Sequence, residues 1–207
     1  MTSAREAILA RVRASLADDP SAVAVPRAYP SRGERDRAAV VELFVGRVRD
    51  YEATVVVTDD PRAAVTEALT AAGALRVGIA PDLDGAFRVP DVELIEDDDL
   101  SPRDLDDLDG AVTTCAFACA ETGTIALDGG GGQGRRALSL VPDLHVCVVR
   151  AASIVETVPE LIAALEPSAR EGRPIVLVSG PSATSDIELT RVEGVHGPRQ
   201  LVVIVAT

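Results

Sequence analysis

From Ala53 onward, short runs of Val, Ile and Leu alternate with stretches of helical periodicity, and this alternation constrains the fold more than any other feature of the chain. Strands are expected at Thr54–Thr58, Arg76–Ala80, Val92–Ile95, Ala111–Thr114, Thr124–Leu127, His145–Arg150, Pro174–Ser179 and Leu201–Ala206. Helices are expected from Asp59 to Ala72, with Gly73 as a left-handed stop, and from Ser153 to Leu165, where Pro159 marks a break. Strand-helix alternation implies βαβ units, hence an α/β fold with a mainly parallel sheet flanked by helices. Aromatic residues are only 2% of the chain while hydrophobic residues are 47%, so the core must be built from Val, Leu, Ile and Ala. That suits a sheet buried on both faces.

The first 50 residues read differently. Ser3 and Glu6 form a capping box ahead of a helix over residues 3–16, with Ile8, Leu9, Val12 and Leu16 on one side. Residues 18–33, rich in Pro, Ser and charge, read as a linker or extended arm. A second helix follows from Glu34 to Tyr51, with Val40, Val41, Phe44 and Val48 on its apolar side. The first helix either covers its own domain or packs on a neighbour. A length of 207 residues suits one domain with such an appendage.

The formal net charge is −13, with no Lys and 20 Arg. Clustered cations are needed to hold nucleic-acid phosphates, so a nucleic-acid partner is not expected. Without Lys, a lysine Schiff base and a P-loop lysine are excluded. Cys115, Cys119 and Cys147 are three thiols without CxxC spacing, too few for a cluster or a tetrahedral zinc site within one chain. Cys115 and Cys119 are expected on one side of a strand, as core residues. The acidic stretch Glu96–Asp109 lacks the EF-hand pattern and reads as a solvated helix capped at Ser101-Pro102. The N-terminus lacks the apolar core of a signal peptide and no apolar run reaches a membrane span, so a cytoplasmic protein is expected.

Three segments carry chemistry. In Cys119–Leu127, Glu121 stands before a Gly turn between Thr122 and Thr124; this is either an acid or base with hydroxyls beside it, or a turn whose Thr side chains bond the backbone. In Gly129–His145, a glycine run is followed by Arg135 and Arg136, an arrangement open to a carboxylate or phosphate, or simply a mobile loop. In Ser179–Leu189 and Gly194–Pro198, a strong strand ends in a Gly-Pro turn followed by Ser182, Thr184, Ser185, Asp186, Glu188 and His196; Asp186 either acts at the site or caps a short helix. The two histidines of the chain, His145 and His196, adjoin these segments. Neither their spacing nor a G-x-S-x-G elbow supports a zinc site or a serine hydrolase.

Taken together and in this order, AETGTIAL, GRRALSLVPDLHVCVV, SGPSATSDIE and GVHGP resemble the LUD domain of the lactate utilization protein C family, densely over residues 111–207 and more loosely over 34–110. The resemblance implies a domain over 34–207 with a leader over 1–33. It also implies a fold like that of ribose-5-phosphate isomerase, glucosamine-6-phosphate deaminase and CoA transferases. It further implies a role in oxidising L-lactate to pyruvate beside partner proteins that carry iron–sulfur clusters, with no cofactor held by this chain alone. The family's pocket, carried over, gives Glu121, His145, Asp186 and His196 as catalytic candidates. Thr122, Thr124, Arg136, Ser182, Thr184 and Glu188 are its candidates for binding a small carboxylate. Three roles remain open at this stage: an enzyme subunit that binds lactate or an electron-transfer partner; a non-catalytic assembly subunit; and an isomerase or acyl-transferase relative acting on a small anion. A homo-oligomer is compatible with each. Glu121, His145 and Asp186 are expected to converge on one cleft.

Overall fold

Six strands without an antiparallel partner need connections that cross the sheet, and the chain supplies them as helices on both faces. The computed structural model describes residues 3–16, 31–181 and 197–207. Its main sheet consists of β1 (Thr54–Thr58), β2 (Arg76–Ile79), β3 (Glu93–Glu96), β4 (Gly110–Thr114), β7 (Leu144–Arg150) and β10 (Gln200–Ala206). They lie in the order β1-β10-β7-β4-β2-β3, with every pair parallel. The expected parallel sheet flanked by helices is thus present.

Alternation along β7 shows how each face is covered. Val146 and Val148 pack with Ala64, Val65 and Leu69 of α3 (Pro61–Ala72). Cys147 and Val149 pack on the other face with Val40, Phe44, Val45 and Val48 of α2 (Arg37–Asp50). α3 begins with Pro61 after the Asp60 cap and stops at Gly73, whose φ of 68° is the left-handed conformation expected there. α2 starts two to three residues later than its periodicity predicts, because the Asp36 side chain accepts the Ala39 N–H and caps it there. The acidic stretch does contain a capped helix, α4 (Pro102–Asp106), closed by a Ser101–Asp104 capping box.

The strands expected at 124–127 and 174–179 do not join the main sheet. β6 (Thr124–Leu127) and β9 (Val176–Val178) belong to a second, mixed sheet with two short strands the apolar pattern does not reveal, β5 (Phe117–Cys119) and β8 (Ile154–Val155), in the order β8-β5-β6-β9. β5 and β6 form an antiparallel hairpin, while β8 runs parallel to β5. α5 (Val158–Arg170) starts later than expected and covers this sheet, its Leu161 and Leu165 packing on Cys119 and Ala126. Pro159 causes no break, because it occupies the first turn, where its missing N–H has no helical partner to lose.

Residues 31–207 form one compact unit and residues 1–30 another. In the first thirty, α1 (Ala4–Ser15) has the expected Ser3–Glu6 capping box.

The hairpin turn is seated on α2. Gly123 has a φ of 63°, and a Cβ there would lie 2.9 Å from the Arg47 Cβ and 3.1 Å from the Val48 nitrogen. Gly123→Ala would therefore meet both left-handed strain and a backbone contact that cannot swing away. We expect it to cost about 2 kcal/mol or more of stability in a urea titration, with the α/β circular dichroism spectrum retained.

Candidate functional site

The carboxyl ends of β2 and β4 are closed by the glycine run, and the chain fixes that run at many points. β6 delivers Asp128, whose Oδ1 accepts the Gly130 N–H and the Gln133 side-chain N–H. The Gln133 Oε1 accepts the Asp128 N–H at 2.7 Å, and the Gln133 N–H returns to the Gly130 carbonyl. Thr114, at the end of β4, donates its hydroxyl to the Gly131 carbonyl and its N–H to that of Gly132. Asp82, beyond β2, accepts the Gly132 N–H. Gly129, Gly132 and Gly134 all have positive φ, and a Cβ on Gly132 would lie 3.0 Å from the Thr114 hydroxyl. The glycines let the loop close down on the strand ends, and side-chain carboxylates and amides hold it there, so it is not the mobile loop its composition suggests.

This loop is a wall shared by two cavities. On one side, at the strand ends, a cavity of about 360 Å³ is lined by Asp82, Asp84, Thr114, Cys115, Gly131, Gly132, Arg150 and Ser153. It occupies the usual ligand position of open α/β sheets. Arg150 there is 3.8 Å from Asp84, and Asp82 adds a second carboxylate to the lining. On the other side, a cavity of about 300 Å³ is bounded by Leu127, Pro174 and Val176, by Gly129 and Gly134, and by Arg135, Arg136 and Arg173.

The three arginines differ. Arg135 makes two 2.8 Å hydrogen bonds to Asp97, whose carboxylate is fully buried at the end of β3, and a further one to the Leu100 carbonyl. Arg173 lies 3.0 Å from an Asp128 oxygen and donates to the Ser168 hydroxyl. Arg136 is exposed, and its guanidinium has no partner among the described residues. Burial by itself would raise the Asp128 pKa. Hydrogen bonds from Ser168, Gly130 and Gln133, together with Arg173, outweigh it and hold the carboxyl below its ordinary range.

The other candidates fall elsewhere. Glu121 is exposed in the β5–β6 turn; its N–H donates to the Glu156 carbonyl, and its carboxylate accepts the Val158 N–H at the first turn of α5. A carboxylate at a helix N-terminus is stabilising on structural grounds alone. Thr122, Thr124 and Ser179 form a chain of hydroxyls, 2.8 Å at each link. It ends beside Gly180, whose backbone lies against Tyr51 at the end of α2. Ser182, Thr184, Asp186, Glu188 and His196 lie outside the described residues.

His145 does not meet Glu121. It is 1% exposed, second residue of β7 and therefore at the amino end of the main sheet. Glu121 is held by the segment that follows the carboxyl end of the same strand, roughly 16 Å further on for five residues. The expected convergence of Glu121 and His145 on one cleft is not formed. The His145 Nε2 is 2.8 Å from the Thr113 hydroxyl, and its Nδ1 has no partner among the described residues. The cysteines also differ from expectation. Cys115 lies between β4 and β5, near Cys147, whose thiol donates to the Thr114 carbonyl at 3.9 Å, whereas Cys119 belongs to the second sheet and lies 3.7 Å from the Glu156 carbonyl. The neighbouring Cys147 thiol and burial together push the Cys115 thiol well above its ordinary pKa, so it is held as a thiol. Asp97, Asp128 and Gln133, which fix the loop, are the functional-site residues missed by motif reasoning. The one sequence signal for them is position, at a strand end or within the glycine run.

Burial lowers the His145 pKa from 6.5 to about 4. The unfolded chain then takes up a proton near pH 6.5 while the folded chain refuses it, so stability is complete above that value and falls as the pH drops toward 4. The loss between pH 7 and pH 5 should be about 2 kcal/mol. Urea titrations at the two pH values should show it, and His145→Leu should flatten the slope by that amount whatever its starting stability.

Comparison with known proteins gives a consistent picture. The family model described as the LUD domain matches residues 93–206. A lactate utilization protein C from Deinococcus radiodurans is 47% identical over 180 residues, 86% of this chain and 84% of that one. An uncharacterized Escherichia coli protein, YkgG, is 35% identical over 98 residues, covering 45% of this chain and 42% of that one. The crystal structure of a DUF162 family protein from Deinococcus radiodurans superposes with a TM-score of 0.74 at 39% identity, over 84% of this chain and all of that one.

Proposed function

This chain belongs to the LUD domain family, and from that premise we propose that it serves in lactate utilization by binding a small monocarboxylate, L-lactate or pyruvate, beside Arg136. The observation that carries this reading is the contrast among the three arginines of one cavity. Arg135 and Arg173 are bound to buried acids, and Arg136 is left uncompensated among the described residues, at the edge of a space with an apolar wall. A guanidinium takes a carboxylate through paired hydrogen bonds, and Leu127, Pro174 and Val176 offer contact to a methyl group. Turning L-lactate into pyruvate removes two electrons and two protons. In this reading iron–sulfur partner proteins accept the electrons, and this chain presents the carboxylate to them. The candidates Ser182, Thr184, Asp186, Glu188 and His196 belong to the same proposal as groups that contact the ligand; Thr122 and Thr124 enter it through the hydroxyl chain to Ser179.

A bidentate contact between arginine and a carboxylate is worth about 1.5–3 kcal/mol. Arg136→Ala should therefore weaken L-lactate binding by about tenfold or more in calorimetry, while leaving the urea midpoint unchanged. Arg135→Ala should do the reverse at the level of the fold, costing about 3 kcal/mol because it strands the buried Asp97 carboxylate. Equal affinity in wild type and Arg136→Ala would remove Arg136 from the site. No binding to wild type, with L-lactate growth still lost on gene deletion, would favour an assembly subunit.

A further inference from the structure

We propose that the cavity at the carboxyl ends of β2, β4 and β7 is a second binding site, for a free α-amino acid held as its zwitterion. Its walls all come from residues 82–153, inside one compact unit. The position follows from the strand order. The chain leaves β2 for β3 on one side and leaves β4 toward β7 on the other, so the outgoing segments of two neighbouring strands diverge there. Such a switch point opens a crevice at the strand ends, where open α/β sheets bind ligands.

The crevice carries both signs of charge, and the backbone orients the acids. The Asp82 Oδ1 accepts the Gly132 N–H at 3.1 Å, and the Asp84 Oδ1 accepts the Ala86 N–H at 2.9 Å. Each carboxylate is thereby fixed through one oxygen. The second Asp82 oxygen has no hydrogen bond among the described residues, and the second Asp84 oxygen lies 3.8 Å from the Arg150 guanidinium. That separation is too long for a hydrogen bond, and an exposed pair of this kind holds little energy. Arg150 makes no hydrogen bond among the described residues, so its N–H donors and two carboxylate oxygens are left for a ligand.

The balance of charge selects the ligand. Phosphates and dicarboxylates meet two carboxylates against one guanidinium and are repelled. A bare divalent cation meets two acids and an arginine, with no group of three metal-ligating side chains among the described residues. An uncharged polyol reaches the same atoms but leaves every charge unmatched. A zwitterion matches both signs: its ammonium donates to the second oxygens of Asp82 and Asp84, and its carboxylate accepts from Arg150 through charge-assisted hydrogen bonds. Asp84 and Arg150 stand 3.8 Å apart, so the two charges of the ligand must be close together. An α-amino acid, with one carbon between them, has that spacing, and Ala116 and Val148 offer its side chain an apolar contact.

The test is a thermal-shift screen of the full-length protein with each protein amino acid at millimolar concentration, followed by calorimetry on those that raise the melting temperature. At least one should bind, and its analogues lacking the ammonium or the carboxylate should bind about tenfold more weakly or worse. Asp82→Asn and Asp84→Asn keep the Oδ1 acceptor for the backbone N–H and remove only the charge. These two variants and Arg150→Gln should each weaken binding by about tenfold or more, with the urea midpoint unchanged. Arg136→Ala should bind the amino acid as wild type does, which separates this site from the carboxylate site proposed beside that residue. No shift with any amino acid, equal affinity for the analogue without an ammonium or for glycerol, or binding lost in Arg136→Ala and kept in Asp82→Asn would each overturn the proposal.

Discussion

Asp128 is the tie on which the architecture around the candidate site depends. It stands at the end of β6 in the second sheet, where its carboxylate is nearly excluded from water. Such a group is tolerable only when its oxygens are filled, and here they are filled by parts of the chain remote in sequence. One oxygen accepts from Gly130 and Gln133, fixing the glycine loop. The other takes the Ser168 hydroxyl at 2.5 Å near the end of α5 and lies 3.0 Å from Arg173 ahead of β9. The loop that closes the main sheet is thereby locked to the helix and strand that build the second one. A single buried acid converts a flexible composition into a defined wall.

That tie explains how much was legible beforehand. The apolar runs identify the central strands of the main sheet because β7 and β10 are buried along most of their length, and continuous Val and Ile runs have few other uses; β1 and β3, at the edges, are only partly buried. Caps are local, so Ser3, Asp60, Gly73 and Ser101 announce their helices within four residues. Sheet membership is not local. β5 and β8 are three and two residues long and gain their partners only through the hairpin and the return after β7, so periodicity has nothing to register. The motif AETGT likewise looks chemical, yet its glycine is required by the approach to Arg47 and Val48, and its glutamate stands at the start of α5.

His145 illustrates the same limit from the other side. A histidine next to a polar, glycine-rich loop suggests a base, and residue type cannot say at which end of the next strand it will lie. The turn over residues 135–143 crosses the face of the main sheet, where Leu138 fills the space left by Gly78, and so enters β7 at its amino end. A side chain there is packed into the interior with Thr113. A pKa pushed down to about 4 makes it a neutral core residue at ordinary pH, a property of position rather than of motif.

The charge balance around the loop bears on which anion is the better match. Two of the three arginines at the cavity are already bound to buried carboxylates, so the described residues leave one positive charge there, not three. A sugar phosphate or coenzyme A substrate brings about two or more negative charges at neutral pH and needs correspondingly more fixed cations, or backbone amides aimed at it. The amides of Gly130, Gln133 and Gly132 are turned inward to Asp128, Gly130 and Asp82, and so are spent on the loop itself. In a chain of net charge −13, with Arg as its only strong base, one guanidinium without a partner among the described residues, beside an apolar wall, suits a monoanion with a small hydrocarbon end. Lactate and pyruvate are anions of that kind.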